Sequence, residues 1–314
     1  MRAVFAVSLL VLFLAAGSAR AAGLAIVLNS GDASLSLLDE ASGAELRRVP
    51  VLREPHHVAL SPDGKELLVG DAGGNEMLFL DPLSGEIRRR IPVADPYHLQ
   101  FSPDGKWLVV TGLARNQVDV YDAATMRLAK RFPASSMPSH IAFSPDSSMA
   151  FATLQGTNRL AAYDLTRLAQ IWSVEVGNTP AGVLWHHNQL LVANMGTDAI
   201  AVIDPVDGRV VRHVRTGRGA HQIFLAPDGK LLWVNNRVDG STTALDAATL
   251  NPVRTYKVPG GPDCIDFARD GKLWITQRFI QKVGILDPAT GALRSFPVGR
   301  SPHGIFLTDA LRTQ

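Results

Sequence analysis

Six of the nine histidines in this 314-residue chain fall in one repeating register. Seven leading residues, Pro55, Pro96, Pro138, Pro180, Ala220, Pro262 and Pro302, recur every 40 to 42 residues. The two positions after each read His56-His57, Tyr97-His98, Ser139-His140, Ala181-Gly182, His221-Gln222, Asp263-Cys264 and His303-Gly304. Imidazole ligates metals, shuttles protons and hydrogen-bonds anions, so this concentration points to chemistry. His57, His98 and His140 share the second position in three consecutive units, and Cys264 holds it in a fourth. Nitrogen and thiolate ligands suit zinc or copper, and three protein ligands with one open position describe a reactive metal site. The competing reading is a histidine copied with each repeat, donating to a neighbouring backbone and serving packing alone. Strand alternation turns successive side chains to opposite faces, so His56, His221 and His303 need not meet His57, His98 and His140.

Arginines add a second signal. Arg53, Arg218 and Arg300 precede leading residues, while Arg115, Arg237 and Arg278 follow the next apolar run of their units. Guanidinium groups suit two-pronged recognition of carboxylate or phosphate, and beside histidines they point to a small anionic ligand. Asp32, Glu54, Asp71, Asp95, Asp198, Asp239 and Asp263 share the same loops, which also fits a solvated rim of mixed charge.

The elements that position these residues come from a second periodicity. Asp39, Asp81, Asp122, Asp164, Asp204, Asp246 and Asp287 lie 40 to 42 residues apart, each ending an alternating apolar stretch. Several open Asp-Pro-x-x-Gly-type turns, in which aspartate bonds the backbone ahead and Gly supplies positive φ. Ser61-Pro62-Asp63-Gly64-Lys65 recurs at 102–106 and, in weaker forms, at 144, 226 and 269, each time between two β-rich runs. Each unit thus holds four antiparallel strands, A to D, which is one propeller blade. The predicted fold is an all-β, seven-bladed β-propeller. Residues 24–51 supply strands B, C and D of a blade whose strand A is 302–307, closing the ring. Strand A lines the channel, and the D–A and B–C loops share the top face, so the histidines and arginines are expected at the channel mouth. The variant turn Trp185-His186-His187-Asn188-Gln189 belongs to the opposite face.

The unit P-H-x-h-x-h-S-P-D-G-K-x-h-h-V followed by h-x-h-h-D-x-x-[ST]-G, with h apolar, resembles the YVTN-type repeat of exported bacterial propellers, across the chain after its first residues. That superfamily includes binding scaffolds, sugar-lactone hydrolases and haem-carrying relatives, so the resemblance implies the fold more than the activity. Asp270–Thr276 and Pro302–Ile305 resemble streptogramin-lyase repeats. That family uses a metal-bound carboxylate and a catalytic histidine on the top face; His303 alone occupies a comparable position, and the family's Glu-x-x-His element is missing. Lactone hydrolases rely on top-face His, Arg and Glu, and here Glu54 is the glutamate beside the ring. The resemblance therefore makes His303 and Glu54 the catalytic candidates of a metal-dependent lyase or lactonase, with Mg or Ca as its metal.

Arg2, the apolar run from Val4 to Ala16 and Ala19-Arg20-Ala21 read as a signal peptide over residues 1–21, leaving one domain, 22–314, in the periplasm or outside the cell. About 20 apolar residues are needed to span a bilayer, so no membrane span is expected after cleavage. Without Arg2 and Arg20 the 31 basic residues fall to 29, matching 29 acidic ones, which argues against nucleic acid. One cysteine allows no internal disulfide. There is no Cys-x-x-Cys-His for covalent haem, no Gly-x-Ser-x-Gly elbow and no phosphate-binding glycine loop. The expected protein is a monomeric periplasmic binding or interaction module. It presents His56, His57, His98, His140, His221, His303 and the six arginines to a small anion, a metal ion or a partner protein.

Overall fold

The computed structural model describes residues 23–311; the signal-peptide expectation for residues 1–21 lies outside them. Seven four-stranded antiparallel sheets surround one axis. The innermost strands are Pro55–Leu60, His98–Phe101, Pro138–Phe143, Pro180–His186, Ala220–Leu225, Pro262–Phe267 and Pro302–Leu307, and each packs beside the next until the last returns to the first. Leu24–Asn29, Ser34–Asp39 and Glu45–Pro50 share a sheet with Pro302–Leu307, in the register Ala25 with Leu307 and Val27 with Ile305. Closure through hydrogen bonds removes the two free edges an open ring would expose.

Apolar alternation explains the packing. Seven clusters of buried side chains fill the seven gaps between adjacent sheets, for example Phe132, Phe143 and Tyr163, or Ile26, Leu37 and Leu78. Outermost strands such as Glu45–Pro50 and Ile87–Pro92 are exposed and rich in arginine, which discourages edge-to-edge pairing.

All seven repeat aspartates perform the same local task. Oδ1 of Asp39, Asp81, Asp122, Asp164, Asp204, Asp246 and Asp287 accepts a backbone N–H two or three residues on, closing the turn between the third and fourth strands. In the Ser-Pro-Asp-Gly-Lys turns Asp63 and Asp104 accept from the serine hydroxyl and the lysine N–H. The variant turn is a two-residue hairpin loop, with His186 pairing Gln189 and positive φ at His187 (46°) and Asn188 (58°). His186 itself is buried, its Nε2 bonding the Ala247 carbonyl at 2.6 Å.

The innermost strands carry one repeated irregularity. Pro55 pairs Asp71 and Val58 pairs Val69, so His56 and His57 together face the single residue Gly70. The same two-against-one count recurs at Ser139-His140, Ala181-Gly182, Asp263-Cys264 and His303-Gly304; the shift at His221 has the same sense, and at His98 regular pairing begins only after Tyr97. Residues facing these bulges tie one blade to the next. Thr111, Thr153 and Thr276 hydroxyls donate to the carbonyls of Ser139, Ala181 and His303, and the Asn235 amide donates to that of Asp263. At Gly70 the neighbouring Pro96 carbonyl takes the side-chain space: a Cβ would lie 2.2 Å from its oxygen.

Candidate axial imidazole site

The bulges decide where the histidines go. A bulge places two successive residues against one partner and re-aims their side chains, so the strict alternation expected from sequence does not hold here. The His56 and His303 rings, tilted by 42°, meet with centroids 3.8 Å apart, and His57 lies 4.4 Å from His303, 4.6 Å from His98 and 5.0 Å from His140. His221 reaches His140 at 5.4 Å, and Tyr97 covers His56 at 4.1 Å. First-position and second-position histidines therefore form one cluster, correcting the expectation that they need not meet. All six are buried, so they plug the axis instead of lining an open mouth.

Asp263, wholly buried, is the pivot of this cluster. Its Oδ1 lies 2.9 Å from His221 Nδ1 and accepts from Arg237; Oδ2 lies 3.2 Å from Arg278 Nη1 and 3.5 Å from His303 Nε2. Arg237 Nη2 also donates to His221 Nε2 at 2.7 Å, which leaves the His221 proton on Nδ1, facing the carboxylate. Burial alone would raise the Asp263 pKa, but Arg237, then His303 and His221, hold it well below the usual carboxylate range. Burial drives His56, His98, His140 and His303 well below 6.5 and His57 down to about 3; His221 is lowered by burial and then by Arg237. The six imidazoles are therefore neutral Lewis bases at neutral pH.

The arginines divide. Arg237 and Arg278, at the ends of Leu231–Asn236 and Leu273–Gln277, turn inward to Asp263. Arg218 and Arg300 stay exposed on the rim, paired with Asp239 and Asp32, while exposed Arg115 bonds Asn75 Oδ1 and Arg53 is exposed. Glu54 is half-buried; burial raises its carboxyl pKa, with Arg278 pulling the other way. Asp71 and Asp95 accept backbone N–H groups of the rim loops.

Cys264 is buried, its thiol pushed upward in pKa by burial, and it donates to Gln222 Oε1 at 3.4 Å. It lies 3.7 Å from His303 Nδ1. Among the described residues, the sets whose ligand atoms all come within 4.8 Å are His56–His57–His303 and His221–Asp263–His303. The expected quartet of His57, His98, His140 and Cys264 is thus divided, with His57 in one set and the others outside both. Sequence reasoning passed over Asp263 as one rim acid among seven, although it is the only acid in the fourteen register positions.

A family model described as YNCE-like beta-propeller matches residues 3–312. No curated protein matches significantly. A functionally unknown protein from Desulfotomaculum acetoxidans has a similar fold, at TM-score 0.78 and 13% identity over 90% of this chain and 98% of that one. So does the periplasmic gluconolactonase of Pseudomonas aeruginosa, at 0.73 and 20% over 91% and 98%. Virginiamycin B lyase from Staphylococcus aureus follows at 0.68 and 19% over 81% and 90%. At these identities the likeness is one of fold.

Proposed function

This chain belongs to the YNCE-like β-propeller family, and from that premise we propose that it is an exported binding module for a small anion, held at the axis by Arg237 and Arg278. One observation carries the reading. Two guanidiniums converge on a single buried carboxylate among neutral imidazoles, which leaves positive charge in excess at that point. Their side chains are 19% and 22% exposed, so they keep donors within reach of solvent. Preorganised guanidinium donors suit carboxylate or phosphate oxygens. The rim arginines Arg218 and Arg300 already have acid partners and contribute less.

A metal-dependent lyase or lactonase would need His303 as its base. That residue is wholly buried against Asp263, and a substrate would first have to displace the Arg278 pair. The similar folds of the gluconolactonase and the lyase support this second reading only at the level of architecture.

Calorimetric titration of the protein with phosphate, sulfate and a series of mono- and dicarboxylates tests the proposal. At least one should bind, with affinity dropping tenfold or more in Arg278→Met while the far-UV circular dichroism stays unchanged. Binding indifferent to both Arg237 and Arg278, or no binding across the series, overturns it.

A further inference from the structure

His56, His57 and His303 form a three-nitrogen set that anion binding at the arginines does not use. Two of the three direct one ring nitrogen to a backbone carbonyl, as metal-bound histidines usually do. His57 Nδ1 donates to the Tyr97 carbonyl at 2.8 Å, and His303 Nδ1 to the His56 carbonyl at 3.1 Å. Nε2 of each is then a lone-pair acceptor buried without a hydrogen-bond partner, that of His303 facing Asp263 Oδ2 at 3.5 Å, a carboxylate with no proton to give it. Leaving such a group unsatisfied costs about 1–3 kcal/mol. His98 Nδ1 and His140 Nε2 are buried and unpartnered too, on rings touching His57.

We propose that His56, His57 and His303 bind one borderline transition-metal ion, zinc or copper, that arrives through the cavity lined by His98 and His140. Nitrogen-only donors select such ions over magnesium or calcium, which demand oxygen. The second set, His221–Asp263–His303, is a poorer ligand group, because Asp263 already serves two guanidiniums. Cys264 is directed to Gln222. The route follows from the walls. A cavity of about 370 Å³ runs from His98, His140 and Gln222 past Pro103 and Pro145, which belong to turns on the face opposite Arg237 and Arg278. Unsatisfied imidazoles along it give an ion successive footholds before the three-nitrogen set. The site goes beyond the anion-binding reading and does not depend on it.

The test uses untagged protein, stripped with chelator, exposed to Zn(II) or Cu(II) and desalted. One equivalent should remain by elemental analysis, and the Cu(II) electron paramagnetic resonance spectrum should show hyperfine coupling to three nitrogens. That spectrum reads the unsubstituted protein, so the proposal stays exposed even if a variant fails to fold. His57→Gln and His303→Gln should each lower affinity tenfold or more, Cys264→Ser and Arg278→Met should retain the metal, and His98→Gln should slow loading without changing stoichiometry. Cooperatively folded protein retaining less than about a tenth of an equivalent, a spectrum without nitrogen coupling, stoichiometric metal in the His57→Gln, His303→Gln double variant, or loss in Cys264→Ser overturns the site. Loss of anion binding with metal retained in Arg278→Met separates the two proposals.

Discussion

Nδ1 of His221 lies 2.9 Å from Oδ1 of Asp263, and both side chains are wholly buried. An ionised carboxylate in such surroundings survives only if its charge is answered locally, and Arg237 and Arg278 supply that answer. His221 and Arg237 come from one blade and Asp263 and Arg278 from the next, so the charge group ties two adjacent blades together.

Replacing Asp263 with Asn leaves two guanidiniums facing each other without their common partner. Breaking a buried ion pair from one side costs about 3–5 kcal/mol. Urea denaturation should show a loss of that size for Asp263→Asn. A loss below about 1 kcal/mol means that solvent satisfies both arginines.

Acid should unfold the protein steeply. Each clustered histidine has a folded pKa below its unfolded value of about 6.5, so unfolding takes up protons once pH falls beneath that value. Stability is full above about pH 6.5 and declines toward the folded values, which for His57 is about 3. Asp266 opposes this: burial raises its pKa to about 7, so its folded form holds a proton that the unfolded form releases. Six histidines against one aspartate make the net effect a loss of stability as pH falls below about 6.5. Thermal melts between pH 8 and 4 should show it; a flat profile means that the imidazoles are already protonated when folded.

The blade-to-blade ties predict a graded effect at Thr153, whose hydroxyl donates to the Ala181 carbonyl at 2.7 Å and accepts from the His140 N–H at 3.0 Å. Thr153→Val keeps the shape and orphans both groups, at about 1–3 kcal/mol, while Thr153→Ser should recover most of the loss. Equal chemical denaturation midpoints for the two variants would count against the tie.

Anion affinity should respond to Glu54. This acid sits near Arg278 and opposes the positive excess, so Glu54→Gln should tighten anion binding several-fold. In the unsubstituted protein the same tightening should occur as pH falls through the raised Glu54 pKa. Weaker binding in Glu54→Gln makes the glutamate a direct contact instead.

The blade count and closure were legible because their causes are local: an aspartate that closes a turn leaves the same mark in every repeat, as Asp81 and Asp287 do. The histidine register was legible for the same reason. The joint direction of His56 and His57 was not, because a bulge is a property of hydrogen-bond register and leaves the alternation of residue types unchanged. Nor was the role of Asp263, since what separates it from Asp32 or Asp239 is burial, set by how tightly seven strands crowd the axis.

The first sheet is completed by Pro302–Leu307, a strand almost 280 positions away along the chain. Its partner strand must therefore wait, unpaired on one side, until residues 302–307 have been made. Contacts between such distant positions form late and slowly. The ring is consequently latched by its contact of longest sequence separation, and the axial cluster, which draws His303 from that same strand and His56 from the blade beside it, is complete only when the latch has engaged.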